Sequence, residues 1–346
     1  MRSDLSIGLD VSLDQTSVCV VDESGRTVWR GRCKSTPDAI AATVQRHAPD
    51  VARVGLECGQ LSTWLFHELK ARGLPVVCID ARHAKAALSL KINKTDANDA
   101  YGIAQIVRVG WYKEVTVKSM DTHAVRALLA ARTQLVCQLT TLKNTVRGIL
   151  KTFGLIMPPG SGRQFERRVR EMIDEHAVLT LVLTPLLATL DTLRLQIAKL
   201  ESAVGKKARA DQVVRRLMTA PGVGAVVALA FTSAIEDPAR FRRSSSVGAY
   251  LGLTPTRHQS GEVDRAGRIS RCGDGLVRSY LYEAACTLIK RCKRPCALRR
   301  WGLSLIDRVG SKKAYVAVAR KLAVILHQMW RDSSTFRWDE ERLATV

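Results

Sequence analysis

Between residues 5 and 80 the chain alternates short strand patterns with helix patterns, and this alternation constrains the fold more than any other feature. Three segments of alternating apolar and polar residues, 5–11, 16–21 and 27–33, follow one another directly. A helix pattern over 37–47, a strand over 51–57, a helix over 61–71 and a strand over 75–80 come next. Strands joined by crossover helices form one sheet with helices packed on it, so we predict an α/β N-terminal domain.

The middle of the chain carries two long series of apolar residues with 3-4 spacing, which is typical of heptad seams. The first comprises Val125, Leu128, Leu135, Leu139, Leu142, Val146 and Ile149, and the second comprises Leu183, Leu186, Leu190, Leu193, Ile197, Leu200 and Val204. A loop with Pro158 and Pro159 over 154–162 separates the two. Two such helices either form a hairpin within one helical domain or pair between subunits as a coiled coil.

Charge is distributed unevenly along the 346 residues. The chain has 54 basic and 32 acidic residues, for a formal net charge of +22. Residues 206–346 hold 27 basic and 12 acidic residues, whereas residues 1–120 hold 16 and 13. Such an excess indicates an acidic partner, nucleic acid first and an anionic membrane second. We therefore predict segments with different tasks over 1–120, 121–205 and 206–335, followed by a tail over 336–346.

Cysteine usage and hydropathy indicate the cytoplasm. The nine cysteines are an odd number scattered among apolar residues, which is typical of reduced thiols. We find no signal-peptide pattern and no run of about 20 apolar residues. The longest candidate, over 177–190, is short and contains Pro185. We expect a cytoplasmic protein that does not span a membrane.

Four carboxylates stand at positions where acidic residues need a partner. Asp10 and Glu57 end apolar strand patterns, and Asp96 and Asp99 share one face of a predicted helix. Each alone is also compatible with a turn, a helix cap or a solvated surface. Together they predict a site for Mg²⁺, which prefers oxygen ligands and can activate a phosphodiester.

The order of these carboxylates resembles a known family. The segment Asn93-Lys-Thr-Asp-x-x-Asp-Ala closely resembles the helical motif of the DEDD insertion-sequence transposases, which include the pilin-gene invertase and the bridge-RNA-guided recombinases. One departure is Ile92, where many members have Arg. The resemblance implies a ribonuclease-H-like, RuvC-like domain, to which the three opening strands are also similar, and catalytic roles for the four carboxylates.

The basic part carries a second signature of the same family. The segments Phe241-Arg-Arg-Ser-Ser-Ser-Val-Gly-Ala-Tyr-Leu-Gly-Leu-Thr-Pro, Thr256-Arg-His-Gln-Ser-Gly-Glu and Gly267-Arg-Ile-Ser-Arg-Cys-Gly-Asp resemble its mostly α C-terminal transposase domain. By this resemblance Ser260 is the nucleophile that forms a phosphoserine link to DNA. Without the resemblance, Ser260 is an ordinary loop serine beside Gly261. Four arginines surround it in sequence and are candidates for phosphate binding: Arg257, Arg265, Arg268 and Arg271.

The family resemblance also implies partners. It implies a homo-oligomer, dimer or tetramer, in which the carboxylates of one subunit meet the serine of another across DNA. It further implies a noncoding bridge RNA that pairs with donor and target DNA. His258 is a candidate base for Ser260, and Ser244–Ser246 compete with Ser260 as nucleophiles or cap the next helix.

Two weaker features suggest nucleic-acid contacts. Pro221-Gly-Val-Gly predicts a helix-hairpin-helix turn in which Gly222 and Gly224 let a phosphate approach a helix N-terminus, or else a tight turn between buried helices. Lys143, Arg147 and Lys151 form a basic stripe that faces either phosphates or solvent.

The sequence supports a site-specific recombinase of an insertion sequence, and three alternatives stay open. The first is a metal-dependent junction resolvase or nuclease in which water attacks and Ser260 is structural. The second is an actin-like or sugar-kinase-like ATPase, against which the absence of a phosphate-binding glycine loop argues. The third is a nucleic-acid-binding protein without enzymatic activity.

Overall fold

The computed structural model describes residues 4–89, 94–157 and 163–338. The chain divides into two compact units, Met1–Ser119 and Met120–Val346. The predicted segments 121–205 and 206–335 therefore belong to one compact unit. That they perform different tasks stays a proposal.

The first unit is an α/β fold built around a five-stranded sheet. The sheet order is β3-β2-β1-β4-β5, with β1, β2 and β3 antiparallel and β4 and β5 parallel to β1. The elements are β1 Leu5–Val11, β2 Gln15–Val21, β3 Thr27–Lys34, α1 Pro37–His47, β4 Val51–Glu57, α2 Ser62–Ala71, β5 Val76–Ile79, α3 Ala81–Leu88 and α4 Asp96–Val109. The α/β prediction for this part of the chain is confirmed.

Helix α4 lies directly on the central strand because glycine leaves room for it. A Cβ atom on Gly8 of β1 would stand 2.1 Å from the carbonyl oxygen of Ala100 and 2.3 Å from the amide nitrogen of Ala104. Ile7 and Leu9 on either side of Gly8 point to the other face of the sheet and are fully buried there. The sheet is therefore covered on both faces, and the start of α4 is held over the end of β1.

The second unit is helical apart from one two-stranded ribbon. Its elements are α5 Met120–Thr152, α6 Arg163–Ile173, α7 Ala177–Ala210, α8 Gln212–Leu217, α9 Ala225–Ile235, α10 Ser246–Tyr250, β6 Pro255–Ser260, β7 Val263–Ile269, α11 Gly275–Arg291, α12 Ala297–Val309 and α13 Ser311–Arg331. A short 3₁₀ helix spans Pro238–Arg240. Helix α9 is buried almost throughout and, with α11 and α13, forms the centre of the main apolar core.

Helices α5 and α7 pack against each other within this chain, and α6 adds a third helix at one end. The sequence did not predict α6, although Phe165, Val169 and Ile173 recur with the spacing of one helix face and are buried. Its first residue, Arg163, directly follows 158–162, which is outside the described residues. The hairpin arrangement of α5 and α7 is present, and pairing between subunits stays a proposal.

Helix α7 runs without a break past Pro185 and through positions 205 and 206 to Ala210. By length and composition it is long and apolar enough to cross a membrane. One such helix is weak evidence, because the core helix of a soluble protein has the same properties. One side of α7 is buried against α5 and α6 through residues that include Leu183, Leu187 and Leu190.

Candidate metal and serine sites

Two of the predicted carboxylates lie side by side at the carboxyl ends of neighbouring strands. In the parallel pair β1–β4, Leu9 is opposite Leu56, so Asp10 and Glu57 are the next residues on each strand. Both side chains are partly buried. The register of the two central strands therefore positions this pair.

Helix α4 supplies the other two carboxylates from its first turn. Thr95 caps the helix by accepting a hydrogen bond from the amide of Asn98, and the helix begins at Asp96. Asp99 follows three residues later on the same side of the helix. Asp96 also lies 3.6 Å from the guanidinium of Arg32. Ile92 and Asn93 of the family motif lie outside the described residues.

Electrostatic interactions link Asp10 and Glu57 to the carboxylates of helix α4. Partial burial raises the pKa of Asp10 to about 6, with further contributions from the negative charges of Asp99 and Asp96. Burial also raises the pKa of Glu57, again reinforced by Asp10 and Asp99. Lys94 opposes both shifts. The sequence analysis did not single out Lys94, although it stands two residues before Asp96.

The donor set fits a divalent cation. Carboxylate oxygens are the ligands that hard cations prefer, and a cation would favour the charged forms of Asp10 and Glu57, which burial and the neighbouring negative charges disfavour. In the ranges 4–89, 94–157 and 163–338, no three His, Cys, Asp or Glu side chains form a group arranged to hold a metal ion.

The closeness of α4 to β1 leads to a first prediction. Gly8→Ala would place a methyl group against the backbone of α4, so we expect it to lower the free energy of unfolding by about 3 kcal/mol. It should also displace Asp96 and Asp99 from Asp10. Urea unfolding of the full chain measures the first effect, and calorimetry of divalent-cation binding measures the second.

Gly59→Ala is the matched control for this variant. A Cβ atom at Gly59 would meet no atom closer than the carbonyl oxygen of Glu57 at 4.0 Å. We expect the control to unfold and to bind a divalent cation as the wild type does. Equal stability of the Gly8→Ala and Gly59→Ala variants would contradict the close packing of α4 on β1.

The predicted nucleophile lies at the tip of an exposed β-ribbon. Ser260 is the last residue of β6 and pairs with Val263, the first residue of β7. Gly261 and Glu262 form the two-residue turn, in which Gly261 has φ +57°. All six residues of β6 are exposed. The sequence analysis did not predict this ribbon, but the structure leaves the Ser260 hydroxyl accessible to a large substrate.

The register of the ribbon separates the surrounding cations into two faces. Arg265 is opposite His258 and therefore shares a face with His258 and Ser260. Arg257 lies on the other face, where its guanidinium donates hydrogen bonds of 2.8 and 2.6 Å to both carboxylate oxygens of Asp264. Of these two predicted phosphate contacts, Arg265 is on the face of Ser260 and Arg257 clamps the two strands together.

The remaining two arginines stand where the ribbon joins the helices. Arg268 is an exposed residue of β7. Arg271 has φ +54°, and its amide donates a hydrogen bond of 3.2 Å to the carbonyl of Gly252. The side chain of Arg278 donates to the carbonyls of Leu251 and Cys272. These bonds fix the base of the ribbon and hold the Arg271 backbone in place.

Two family models match the chain. One, described as "Transposase", covers residues 7–154, and the other, "Transposase IS116/IS110/IS902 family", covers residues 214–301. The transposase for insertion sequence element IS1111A of Coxiella burnetii is 31% identical over 337 residues, which are 96% of this chain and 91% of that protein. The chain belongs to the IS110 family of DEDD transposases.

A second relative agrees with this assignment, and one solved structure shows a weak similarity that adds nothing to it. A probable family 20 transposase of Pseudomonas aeruginosa is 31% identical over 338 residues, which are 96% of this chain and 98% of that protein. The structure of RuvC from Thermus thermophilus aligns with 32% of this chain and 99% of its own, at 15% identity and a TM-score of 0.26. The family prediction is confirmed, and with it the prediction of an enzyme that cuts and transfers DNA.

The basic stripe on α5 of this transposase is engaged with a neighbouring helix. The ammonium of Lys143 lies 5.7 Å and the guanidinium of Arg147 4.8 Å from the ring centre of Phe165 on α6. Burial lowers the pKa of Lys143. Lys151 is exposed at the end of α5. The sequence left open whether this stripe faces phosphates or solvent. The structure shows neither for Lys143 and Arg147, whose partly buried side chains pack against the Phe165 ring.

The glycines of the Pro-Gly-Val-Gly motif have different surroundings. Gly222 has φ +80°, and a Cβ atom there would stand 2.3 Å from the carbonyl oxygen of Ala284 on α11. Its small size is therefore required by packing between buried helices, which was the alternative to a phosphate-binding turn. Gly224 precedes α9 with open space around the position of a Cβ atom, and phosphate binding there stays a proposal.

The competing serines are placed in the helical body. The side chain of Ser244 hydrogen-bonds at 2.9 Å to Nδ1 of His327, which is fully buried. Ser245 precedes α10 without a side-chain capping bond. The predicted serine cap of this helix is therefore not formed, and Ser244 is committed to an internal contact, whereas Ser260 is exposed.

Proposed function

We propose that this transposase cuts and rejoins DNA at the ends of an insertion sequence through a phosphoserine intermediate on Ser260. The exposed hydroxyl at the tip of the ribbon, with Arg265 on the same face, is the observation that carries this proposal. The Ser260 oxygen forms a bond to phosphorus, and the bond from phosphorus to a sugar oxygen breaks. A DNA hydroxyl then reverses the exchange in the new location, so no external energy source is needed.

Each group of residues has a stated task in this proposal. Asp10, Glu57, Asp96 and Asp99 hold Mg²⁺, which when bound supplies positive charge to phosphate oxygens. Arg265 neutralises the charge that develops on the attacked phosphate. His258, on the same face as Ser260, is the candidate group to accept the serine proton. Arg268 and Arg271 bind neighbouring DNA phosphates.

We propose further that the transposase acts in the cytoplasm as a homo-oligomer guided by a noncoding RNA. Val178, Leu181 and Leu195 on α7 are exposed by 63%, 76% and 57%, so this helix has apolar surface left for a second subunit. The high positive charge supports binding of RNA beside DNA. Sequencing the RNA that copurifies with the protein tests this part, and we expect one defined noncoding species.

The chemical proposal is tested by trapping the intermediate. Purified protein is incubated with Mg²⁺, its copurifying RNA and labelled DNA that carries the element ends, and the reaction is stopped with detergent. We expect a covalent protein–DNA adduct whose peptide mass places the phosphate on Ser260. Cleavage products without any adduct would contradict the phosphoserine step.

The two faces of the ribbon give a second prediction. Arg265→Gln is expected to lower the rate of adduct formation roughly 100-fold, because it removes a cation from the face of the attacked phosphate. Arg257→Gln is expected to change the rate only a few-fold, because Arg257 lies on the other face of the ribbon and its ion pair with Asp264 is exposed to solvent. Single-turnover rates of the two variants make the comparison. An equal loss of rate in both variants would show that sharing a face with Ser260 does not determine which arginine contributes to adduct formation.

A further inference from the structure

A cavity of about 600 Å³ lies between α12, α13 and the segment 334–337 that follows α13. None of its lining residues belongs to the serine ribbon or to the acidic cluster. Cavities of this size accept small ligands or single building blocks of a polymer. The transposase therefore has a concave site that the proposed chemistry does not use.

The cavity has an apolar floor and an aromatic wall. Leu298, Met329 and Phe336 line it and are 7%, 3% and 6% exposed. Trp301 also lines it and is 42% exposed, so part of its surface is accessible to a ligand. A flat ligand can stack on this ring while the apolar floor contacts its edge.

Polar and charged groups complete the lining. Lys321 and Arg337 are exposed cations, the Gln328 amide can donate and accept hydrogen bonds, and the Asp332 carboxylate can accept them. The surrounding part of the chain, 206–346, has 27 basic and 12 acidic residues. An anionic ligand with a flat ring and a hydrogen-bonding edge matches this combination.

The segment that closes the cavity is held in place. The amide of Phe336 donates a hydrogen bond of 2.9 Å to the hydroxyl oxygen of Thr219. The ring of Phe336 packs edge-on against Trp338 at 5.1 Å, and the guanidinium of Arg294 lies 4.4 Å from the ring centre of Trp338. The cavity is therefore formed before a ligand arrives, which lowers the entropic penalty of binding.

We propose that this cavity binds one unpaired nucleotide of a nucleic-acid strand, with its base stacked on Trp301 and its phosphates near Lys321 and Arg337. Gln328 and Asp332 face the hydrogen-bonding edge of the base. A base within a duplex cannot enter, because its faces are covered by its neighbours and its edge by its partner. The occupant is thus a single-stranded or flipped-out residue of DNA or RNA.

Binding of labelled oligonucleotides in EDTA tests this proposal without any cleavage chemistry. The probes are a short single-stranded DNA, an RNA of the same sequence and the corresponding DNA duplex. Trp301→Ala is expected to weaken binding of the single strands about tenfold and to leave duplex binding unchanged. The matched control is Trp64→Ala, since Trp64 on α2 is exposed to nearly the same extent, 41%, and we expect no effect of it on any probe.

A second variant keeps the test independent of any folding defect. Lys321 is exposed, and Lys321→Ala is expected to reduce the salt dependence of single-strand binding by about one counterion. If the variants lose more affinity for the RNA probe than for the single-stranded DNA probe, RNA supplies the nucleotide. The opposite result identifies DNA. Wild-type binding by the Trp301→Ala and Lys321→Ala variants, or an equal loss on the duplex, would overturn the proposal.

The fluorescence of Trp301, measured as the difference between wild type and Trp301→Ala, distinguishes other occupants. We expect it to be quenched when a single strand is added, because a stacked base contacts the ring. An unchanged signal at saturating oligonucleotide would mean that another group, such as the segment 339–346 or a second subunit, fills the cavity. That result would also overturn the proposal.

Discussion

Ser260→Ala is expected to abolish the covalent protein–DNA adduct and to lower strand transfer by about 10⁴-fold or more, because loss of a nucleophile removes the chemical step itself. The folded protein should be unaffected, since Ser260 is exposed at the tip of the ribbon and contributes nothing to the apolar core. Adduct formation on denaturing gels and plasmid recombination measure the two effects. DNA affinity, measured in EDTA, should stay within about twofold of the wild type.

Gln259→Ala is the matched control for this variant. Gln259 is the exposed neighbour of Ser260 on the same strand, and its side chain lies on the opposite face of the ribbon. We expect it to form the adduct at the wild-type rate. If Ser260→Ala cleaves DNA at the wild-type rate, water is the nucleophile, and the protein is a metal-dependent nuclease in which Ser260 is structural.

Asp10→Asn is expected to lower Mg²⁺-dependent cleavage by roughly 10³-fold while making the metal-free protein more stable. Activity falls because the variant loses a charged metal ligand. This loss removes several kcal/mol of transition-state stabilisation. Stability rises because the Asp10 charge is partly desolvated and repelled by Asp99 and Asp96. After allowance for solvent screening, this relief amounts to about 1 kcal/mol at pH 8, or about 4 °C in the unfolding temperature.

The pH dependence of this stabilisation has a definite sign. The pKa of Asp10 is raised from 3.8 to about 6 in the folded protein, so between these values the folded state holds more protons than the unfolded state. The contribution of Asp10 to stability therefore falls as pH rises through this window. The advantage of Asp10→Asn should be full above about pH 6 and vanish near pH 4. Thermal unfolding of the metal-free proteins at several pH values measures it.

Asp14→Asn is the control for the acidic cluster. Asp14 is an exposed carboxylate in the turn after β1. It is not among the charges that shift the pKa of Asp10, which are Asp99, Asp96 and Lys94. We expect the control to cleave DNA normally and to unfold at the wild-type temperature. Added Mg²⁺ should raise the unfolding temperature of the wild type and of Asp14→Asn, but not that of Asp10→Asn. Equal Mg²⁺ responses in all three proteins would place the metal elsewhere.

The N-terminal unit could be predicted from the sequence because its signals are local and apolar. The predicted bounds of β1, α1 and β4 agree with Leu5–Val11, Pro37–His47 and Val51–Glu57. Their apolar residues alternate with the period of each element and are buried where that period places them. The expectation that strand ends carry the carboxylates follows from the same pattern, and the adjacency of Asp10 and Glu57 requires only that β1 and β4 be neighbours.

The serine ribbon could not be predicted in this way. Its first strand is exposed at every residue, so no apolar alternation marks it in the sequence. The division of Arg257 and Arg265 between two faces depends on a two-residue turn and on a register shift between Pro255 and Arg257. Spacing in the sequence placed both arginines near Ser260, but only strand pairing shows which one shares its face. Helix α6 was missed for a related reason, since only Phe165, Val169 and Ile173 mark it in a very polar segment.

The exposure of the ribbon also bears on how such a transposase can change over generations. Strand β6 contributes no residue to the apolar core, and its pairing with β7 uses backbone groups that almost any side chain permits. Substitutions on this strand should alter the folding equilibrium very little, and Ser260 is constrained by its proposed chemistry rather than by folding. Mutations can therefore accumulate on this ribbon and alter its fit to new DNA partners while the helical body keeps its sequence. The residues that are free to change and the proposed nucleophile therefore lie on the same short strand.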